Sequence, residues 1–365
     1  MRTKTPGLIF AVAGLMVLVT VNSMAQSTAR MLAMSRLHHQ HVHGTQAGTK
    51  PVTNEHGTEG FRFVSIDVEG AAATIATGIN PRGDIVGVYF DAAFNEHGFL
   101  LKNGKVTTID VPGQLVGVTG TLQTEANGIN PEGDIAGDYF APPGAPGAPE
   151  CLIAFSPACR RGFLYHKGQF SDVLVPGKKG SIPNAITPNG AIYGCDHDDD
   201  YFPSMFGFVR TPSGSFKTLN AGGGELRDPT QSVPASMNNG ATPDGSIIIG
   251  LYVDPPSPAG QNHGYIVQNG VFRRYDVPGS VLTQSWGINP AGDFVGLYDD
   301  TSGNEHGFLQ RWNDDGPITI DVPSAPPFNA VLTDTFAINA EGAMVGLYID
   351  ASGNLHGYLA VRERD

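Results

Sequence analysis

Short apolar segments, each closed by a turn residue, recur along the chain from residue 61 to its end. In the clearest copy, the apolar run from Ile85 to Phe90 follows Asn80-Pro81-Arg82-Gly83, which has the residue preferences of a type I turn. A later segment ends at Asn103-Gly104, the strongest short signal for a β-hairpin. The pattern predicts four short antiparallel strands, named A to D, at residues 77–80, 84–90, 98–102 and 106–111.

This four-strand unit is repeated six times. The glycine of its A–B turn recurs as Gly83, Gly133, Gly190, Gly245, Gly292 and Gly342, at spacings of 47 to 57 residues. A His-Gly-aromatic motif marks strand C at His97, His263, His306 and His356. An Asp-Val-Pro motif ends strand D at Asp110, Asp276 and Asp321. Four strands in a repeat of about 40–50 residues are typical of a β-propeller blade.

The two ends of the repeat region complement each other. Residues 61–69 match a D strand that has no A, B or C strand before it, whereas the last copy stops at Asp365 without a D strand. A ring in which the first strand completes the last blade explains both features and leaves no exposed strand edge at the junction. We therefore predict an all-β fold over 61–365: a six-bladed β-propeller of four-stranded antiparallel blades, closed by the N-terminal strand.

The repeated pattern Gly-Ile-Asn-x-x-Gly-x-Ile-Val-Gly, followed by His-Gly-Phe and Asp-Val-Pro-Gly, resembles the extracellular HAF-type repeat of secreted bacterial proteins. The resemblance covers roughly residues 61–365. That repeat typically has His-Ala-Phe where this chain has His-Gly-Phe or His-Gly-Tyr. The resemblance implies a secreted repeat protein, and it carries no catalytic residues over to this chain.

Composition excludes several other classes of protein. The chain has 48 glycines and 27 prolines among 365 residues, too many for a helix bundle or coiled coil. Its 40% of hydrophobic residues can build a core, which argues against full disorder. The net charge of −13 argues against a nucleic-acid partner, because phosphate recognition needs Lys and Arg.

The N-terminal residues 1–25 have the features of a signal peptide. Arg2 and Lys4 precede an apolar run, and small residues follow it up to Ala25, where we expect cleavage. An uncleaved anchor is the alternative, but the run is shorter than the roughly 20 residues of a spanning helix. We predict a secreted protein, periplasmic or extracellular, with no membrane span in the mature chain.

Residues 26–60 show neither a helical nor a strand period and are predicted to be a disordered linker. This linker contains His38, His39, His41 and His43, and the sequence leaves open whether these imidazoles bind a metal.

The D–A and B–C loops lie on one face of a propeller, and in this chain they contain nearly all the variation in loop length. Variable loops on a rigid scaffold commonly carry binding sites, so we expect ligand binding on this elaborated face. The candidate ligand-binding residues are Asp196, His197, Asp198, Asp199, Asp200, Tyr201, Glu125 and Asp334.

Part of this acidic run could also hold a divalent cation. Asp196, His197, Asp198 and Asp200 offer carboxylates for Ca²⁺ and an imidazole for a transition metal. The run lacks the spacing of an EF-hand loop, and a solvated acidic loop is the alternative interpretation.

The cysteines and the repeated histidines are predicted to be structural. Cys151 and Cys159 lie in one B–C insertion and could form a disulfide in an oxidising compartment. Cys195 would then remain, either buried or as a free thiol. The strand C histidines should bond to the backbone or to a nearby carboxylate of the same blade, the candidates being Asp91, Asp254, Asp300 and Asp350.

Three functions remain open at this stage. The first is a secreted module that holds a glycan, peptide or protein on the elaborated face. The second is a metal-assisted hydrolase or lyase with its site at the mouth of the central channel. The third is a structural component of an envelope or matrix. We favour the first, because the repeat is strongly periodic and contains no recognisable catalytic motif.

Overall fold

The computed structural model describes residues 53–54, 60–154, 159–197, 205–219, 236–253 and 261–363. These residues form 25 β-strands and one short 3₁₀ helix at Gly113–Val116. Apart from two strands that precede the first blade, the strands follow one another along the chain as the blades of a ring, in six antiparallel sheets. The six-bladed propeller predicted from the repeat is therefore confirmed. No helix of the described residues is long and apolar enough to cross a bilayer.

The strands of each blade lie side by side in the order A, B, C and D, with strand A beside the central channel. Strands β1 (Thr53–Asn54) and β2 (Phe61–Ile66) precede blade 1. Blade 1 contains β3 (Ala73–Ile79), β4 (Ile85–Phe90), β5 (Glu96–Lys102) and β6 (Lys105–Thr108). Blade 2 contains β7 (Thr124–Ile129), β8 (Ile135–Phe140), β9 (Arg160–His166) and β10 (Gln169–Val173). Blade 3 contains β11 (Gly180–Ile186), β12 (Ile192–His197), β13 (Met205–Arg210) and β14 (Phe216–Thr218).

The second half of the ring repeats this arrangement. Blade 4 contains β15 (Ser236–Ala241), β16 (Ile247–Val253), β17 (Asn262–Gln268) and β18 (Val271–Tyr275). Blade 5 contains β19 (Leu282–Ile288), β20 (Phe294–Asp299), β21 (Glu305–Gln310) and β22 (Ile318–Ile320). Blade 6 contains β23 (Ala330–Ile338), β24 (Met344–Asp350) and β25 (Leu355–Arg362). The A strands begin several residues earlier than predicted, because the repeat motif marks only the end of each strand beside the turn.

The N-terminal strand closes the ring. Strand β2 pairs antiparallel with β25 and supplies the D strand that blade 6 lacks, and β1 adds a fifth strand outside it. At the channel, the Asn339 side-chain Nδ2 of blade 6 donates a hydrogen bond to the Asn80 carbonyl of blade 1 at 3.1 Å. The first and last blades are therefore joined at both the outer and the inner edge.

A repeated threonine joins four of the blades, 1, 2, 5 and 6, to the preceding blade. Near the start of strand A, Thr124 accepts a hydrogen bond from the backbone N–H of Val111, which follows strand D of the preceding blade, at 3.0 Å. Equivalent bonds, all of 3.0 Å, run from Val68 to Thr74, from Val277 to Thr283 and from Val322 to Thr333. These bonds satisfy buried backbone donors that lie beyond the end of a sheet ladder.

The glycine of the Ile-Val-Gly motif permits the close packing of strands A and B. A Cβ added at Gly87 would lie 2.0 Å from the Ile75 carbonyl oxygen and 2.7 Å from the Phe99 ring. No side chain fits at those distances, so the position requires glycine. The turn glycine Gly83 has φ +77°, a conformation that side chains rarely adopt.

An apolar cluster packs between the blades towards the end where the A strands begin. Five blades contribute to it, through Ile75, Ile182, Met237, Trp286 and Phe336 among others. Blade 2 contributes none of its described residues to this cluster. The seam beside blade 2 therefore contains a different kind of side chain.

Candidate functional site

The two faces of the ring differ as the sequence predicts. On one face the A–B turns are short, and the C–D turns range up to the seven residues between Gln310 and Ile318 in blade 5. On the other, elaborated face, the D–A loop after blade 1 folds into the 3₁₀ helix, and the B–C loop of blade 2 packs against it. A disulfide joins Cys151 to Cys159 within that B–C loop. The remaining cysteine, Cys195, is buried, and burial raises the pKa of its thiol.

The predicted acidic run is divided between a strand and a segment outside the described residues. Asp196 and His197 are the last two residues of β12, and both are buried. Lys178 lies 3.2 Å from Asp196 Oδ1 and forms an ion pair with it. The remaining predicted residues, Asp198, Asp199, Asp200 and Tyr201, lie outside the described residues.

The described residues contain no group of three or more His, Cys, Asp or Glu side chains that could hold a metal ion. Because Asp198 and Asp200 lie outside those residues, the predicted divalent-cation site stays a prediction.

The other two predicted residues, Glu125 and Asp334, are buried in strands rather than exposed on a rim. Asp334 lies in β23 beside the channel and is 1% exposed. Glu125 lies in β7, is 4% exposed and accepts a hydrogen bond from Arg160 at 2.5 Å. The structure does not bring these two residues together with Asp196 in one described cluster.

Glu125 belongs instead to a buried charged cluster at the seam between blades 1 and 2. Arg160 also donates from Nε to Asp138 at 2.7 Å, and Asp138 is fully buried. Glu96, the first residue of β5 in blade 1, is 5% exposed and lies close enough to Glu125 for the charge of Glu125 to raise its pKa. Three carboxyl groups therefore surround one guanidinium group.

Two carboxyl groups of this cluster, those of Glu96 and Asp138, have raised pKa values. Burial raises the pKa of Glu96 well above its ordinary value, and the nearby charge of Glu125 raises it further, against the opposing charge of Arg160. Burial also raises the pKa of Asp138 to about 7, although Arg160 opposes the change. The raised pKa favours the protonated form of Glu96, in which its carboxyl group can act as a hydrogen-bond donor.

Sequence reasoning identified Glu125 but missed Asp138, Arg160 and Glu96. A position-by-position comparison of the blades would have found them. The residues of blade 3 at the positions of Glu125, Asp138 and Arg160 are Ile182, Cys195 and Met205. Three charged residues at positions that are apolar in another blade indicate that this seam between blades packs differently.

The repeated histidines form a regular clamp on the elaborated face. In blade 5, His306 Nδ1 lies 2.9 Å from Asp321 and Nε2 lies 3.7 Å from Asp300. The Tyr298 ring stacks on this imidazole, with 5.2 Å between the ring centroids. The same arrangement recurs at His97 with Asp110 and Asp91, and at His356 with Asp67 and Asp350.

A groove lies beside the blade 5 clamp, between blades 5 and 6 on the elaborated face. Its volume is about 490 Å³, within the range of roughly 300–1,000 Å³ for small-molecule sites. Glu305, His306 and Asp321 form its polar wall, and Leu332 and Val331 form an apolar strip, with Val331 64% exposed. None of the described residues that line the groove is Lys or Arg.

The D–A loop between blades 5 and 6 forms one side of this groove. At one end, Pro323 accepts a hydrogen bond from the Ala330 N–H at 3.1 Å. At the other end, Phe328 is 2% exposed and packs against the Tyr348 ring at 5.7 Å. The loop is thus held by a backbone hydrogen bond across its base and by the buried ring of Phe328. Between blades 1 and 2 the corresponding space holds the 3₁₀ helix and the disulfide loop instead.

Comparison with known proteins gives structural likeness at low sequence identity. A gluconolactonase from Xanthomonas campestris has a TM-score of 0.48 and 12% identity over 84% of this chain and 91% of its own. TolB from Acinetobacter baumannii has a TM-score of 0.45 and 11% identity over 81% and 65%. AofleA from Arthrobotrys oligospora has a TM-score of 0.44 and 12% identity over 87% and 88%. No protein-family profile and no curated protein matches the chain.

Proposed function

We propose that the chain is a binding protein of the HAF-repeat type, secreted from the cytoplasm, whose elaborated face captures basic segments of peptides or proteins. The groove between blades 5 and 6 is the observation that supports this function. Glu305 and Asp321 give it carboxylates, and none of its described lining residues is Lys or Arg. Such a groove attracts Lys and Arg side chains, whose methylene stems can pack on Val331 and Leu332.

The disulfide supports a location outside the cytoplasm. Bridges such as Cys151–Cys159 persist in oxidising compartments and are rare in the cytosol. The signal-peptide features of residues 1–25 point to the same location.

The buried charged cluster does not favour the metal-assisted alternative. Arg160 already bonds to Glu125 and Asp138, and its positive charge repels a cation at that seam. Binding without catalysis remains the function that the geometry supports best.

Fluorescently labelled tetralysine is a suitable probe for the groove. We expect it to bind, with an affinity that falls as salt rises because the attraction is electrostatic. Tetralysine acetylated on its side chains should bind at least tenfold more weakly. Fluorescence anisotropy measures both affinities, and equal affinities would contradict the proposal.

Two pairs of variants localise the interaction. Val331→Lys places a positive charge in the groove and should weaken tetralysine binding about tenfold or more, a loss of about 1.4 kcal/mol. Val281→Lys is the matched control, because Val281 is 45% exposed at the equivalent position of blade 5. Asp321→Asn should weaken binding, whereas Asp110→Asn, which changes the same clamp in blade 1, should not. If each control has the same effect as its partner, the groove is not the site.

A further inference from the structure

The face that carries the A–B and C–D turns, here called the plain face, has an apolar centre. Where the central channel opens on this face, each blade places one A–B turn residue at the rim of the opening. These six residues are Pro81, Pro131, Pro188, Pro243, Pro290 and Ala340. None of them is buried, and the five prolines have no backbone N–H. The centre of the plain face is therefore uncharged and offers few hydrogen-bond donors to water.

Charged side chains surround this centre and divide the plain face into two halves. Blades 1 to 3 carry six basic and three acidic described residues in their A–B and C–D turns or within two residues of them. The basic residues are Arg82, Lys102, Lys105, Lys167, Arg210 and Lys217. Asp84, one of the three acidic residues, already pairs with Arg82 at 3.2 Å and with Lys102 at 3.3 Å. The half formed by blades 1 to 3 is therefore positive.

The half formed by blades 4 to 6 has the opposite sign. Blade 6 has no C–D turn, so the plain-face end of the β2–β25 pair is counted in its place. By the same measure these blades carry six acidic and three basic described residues. The acidic residues are Asp244, Asp293, Asp314, Asp315, Glu341 and Glu363, and the basic ones are Arg62, Arg311 and Arg362. The long C–D turn of blade 5 exposes Asp314 and Asp315. The plain face as a whole thus has a positive and a negative side.

A face with this pattern is complementary to a copy of itself. A two-fold rotation about an axis between two stacked copies, parallel to the border between the halves, lays blades 1 to 3 of each copy over blades 4 to 6 of the other. Each positive half then meets a negative half, and the two proline-rich centres meet each other. An apolar core within a polar rim is the usual anatomy of a protein interface. We propose that two copies of the chain associate through their plain faces into a symmetric dimer.

The dimer leaves the groove between blades 5 and 6 open to solvent. That groove lies on the elaborated face, which is the end of each copy that points away from the interface. Association through the plain face therefore does not depend on the proposed function.

The mass of the protein in solution is the first test. Sedimentation equilibrium over a range of protein concentrations should show reversible association to twice the mass of one chain and to no larger species, because both plain faces are used in the dimer. Added salt should weaken the association, since the contacts of the rim are electrostatic. A single species with the mass of one chain at every concentration would overturn the proposal.

Charge reversal tests which surfaces meet. Two variants, each reversing three exposed residues of one half, are Asp314→Lys/Asp315→Lys/Glu341→Lys and Lys105→Glu/Lys167→Glu/Lys217→Glu. The first makes both halves positive and the second makes both halves negative. Each variant alone should associate at least tenfold more weakly than the wild type, because like charges then meet. Wild-type association of either variant alone would overturn the proposal.

Mixing the two variants separates lost complementarity from misfolding. In an equimolar mixture, a positive face can meet a negative one, so a mixed dimer should form with about the affinity of the wild type. A variant that had simply failed to fold could not be rescued in this way. A mixture that stays at the mass of one chain would contradict the pairing of opposite halves.

A control variant changes charge on the other face. Glu69→Lys/Ser302→Lys/Ser352→Lys adds positive charge at three exposed positions of the elaborated face and should associate as the wild type does. If this control weakens association as much as the plain-face variants do, general charge repulsion explains the effect and the plain face is not the interface.

Discussion

A few charged residues at repeated positions distinguish the seam between blades 1 and 2. Glu125, Asp138 and Arg160 lie where blade 3 has apolar side chains, and Glu96 adds a third carboxyl group from blade 1. Desolvation of buried charges is expensive, and breaking such a cluster by removing one partner typically costs about 3–5 kcal/mol. The stability of the seam therefore depends on how many of its carboxyl groups are ionised beside the single positive charge of Arg160.

This cluster predicts a pH dependence of stability. The folded pKa of Glu96 is raised, and that of Asp138 is raised to about 7, so the folded state binds more protons than the unfolded chain. Their contribution to stability is present below the unfolded pKa of about 4 and is lost as pH rises towards the folded values. Glu96→Gln keeps a neutral hydrogen-bond donor beside Glu125. It should therefore reduce the fall in the free energy of unfolding as pH rises.

Urea denaturation between pH 4 and pH 9 measures the effect. Relative to the wild type, Glu96→Gln should gain about 1 kcal/mol or more at the alkaline end and nothing at the acidic end. Glu305→Gln, at the equivalent and half-exposed position of blade 5, is the control. Parallel curves for Glu96→Gln and the wild type would show that Glu96 ionises as easily in the folded chain as in the unfolded one.

Only part of this residue-scale chemistry could be predicted from the sequence. The acidic run at Asp196 resembles an exposed loop because it is polar, yet Asp196 and His197 continue β12 and are buried. Local polarity does not show that a strand extends to pair with its neighbours. Conversely, the charges at Asp138 and Arg160 are far apart in sequence, and only the pairing of β8 with β9 brings them together.

At the scale of the element, three B–C loops share one hydrogen-bonded turn. Asp350 Oδ1 accepts from the backbone N–H groups of Ser352 and Asn354, each at 2.8 Å, and Oδ2 accepts from the Asn354 side chain at 2.9 Å. Asp91 and Asp300 make the same bonds in blades 1 and 5. The turn places its carboxylate 3.5–3.7 Å from the strand C histidine.

The sequence predicts the partners of these histidines only in part. Asp91, Asp254, Asp300 and Asp350 were predicted to bond to the imidazoles. Asp91, Asp300 and Asp350 are second partners at the longer distance, and Asp254 lies outside the described residues. The shorter bond, 2.7–3.0 Å, joins Nδ1 to the Asp that ends strand D, as in His97 with Asp110 and His263 with Asp276. Strand D follows strand C across a hairpin, so the pairing depends on a register that the motif alone does not show.

Removing the turn carboxylate should destabilise its blade. Asp350→Ala removes three accepted hydrogen bonds and one neighbour of His356, and we expect a loss of about 2 kcal/mol in the free energy of unfolding. Ser352→Ala changes the same turn but leaves the backbone bonds in place, and it should cost less than about 0.5 kcal/mol. Chemical denaturation compares the two variants, and an equal cost for both would contradict this role of Asp350.

At the scale of the whole molecule, the closed ring determines where the groove and the central channel lie. The groove needs blades 5 and 6 side by side, and the channel needs six A strands around it. The repeat spacing and the missing D strand were enough to predict this architecture. The depth of the loops and the residues that face the channel could not be predicted in the same way, because they depend on side-chain packing between blades.

Ring closure can be tested by a disulfide across the junction. Arg62 in β2 lies opposite Val361 in β25, and neither residue is buried. In Arg62→Cys/Val361→Cys, mild oxidation should join the two strands within one chain and raise the melting temperature, because the bridge closes a loop that spans almost the whole propeller. Arg62→Cys/Val271→Cys, which pairs β2 with a strand of blade 4, is the mismatched control.

Intact mass and thiol titration of the oxidised protein give the decisive measurement. The closed ring predicts an intramolecular bridge in nearly all molecules of the matched variant and none in the mismatched control. Free thiols at positions 62 and 361, or bridges only between separate molecules, would show that the first strand does not complete the last blade.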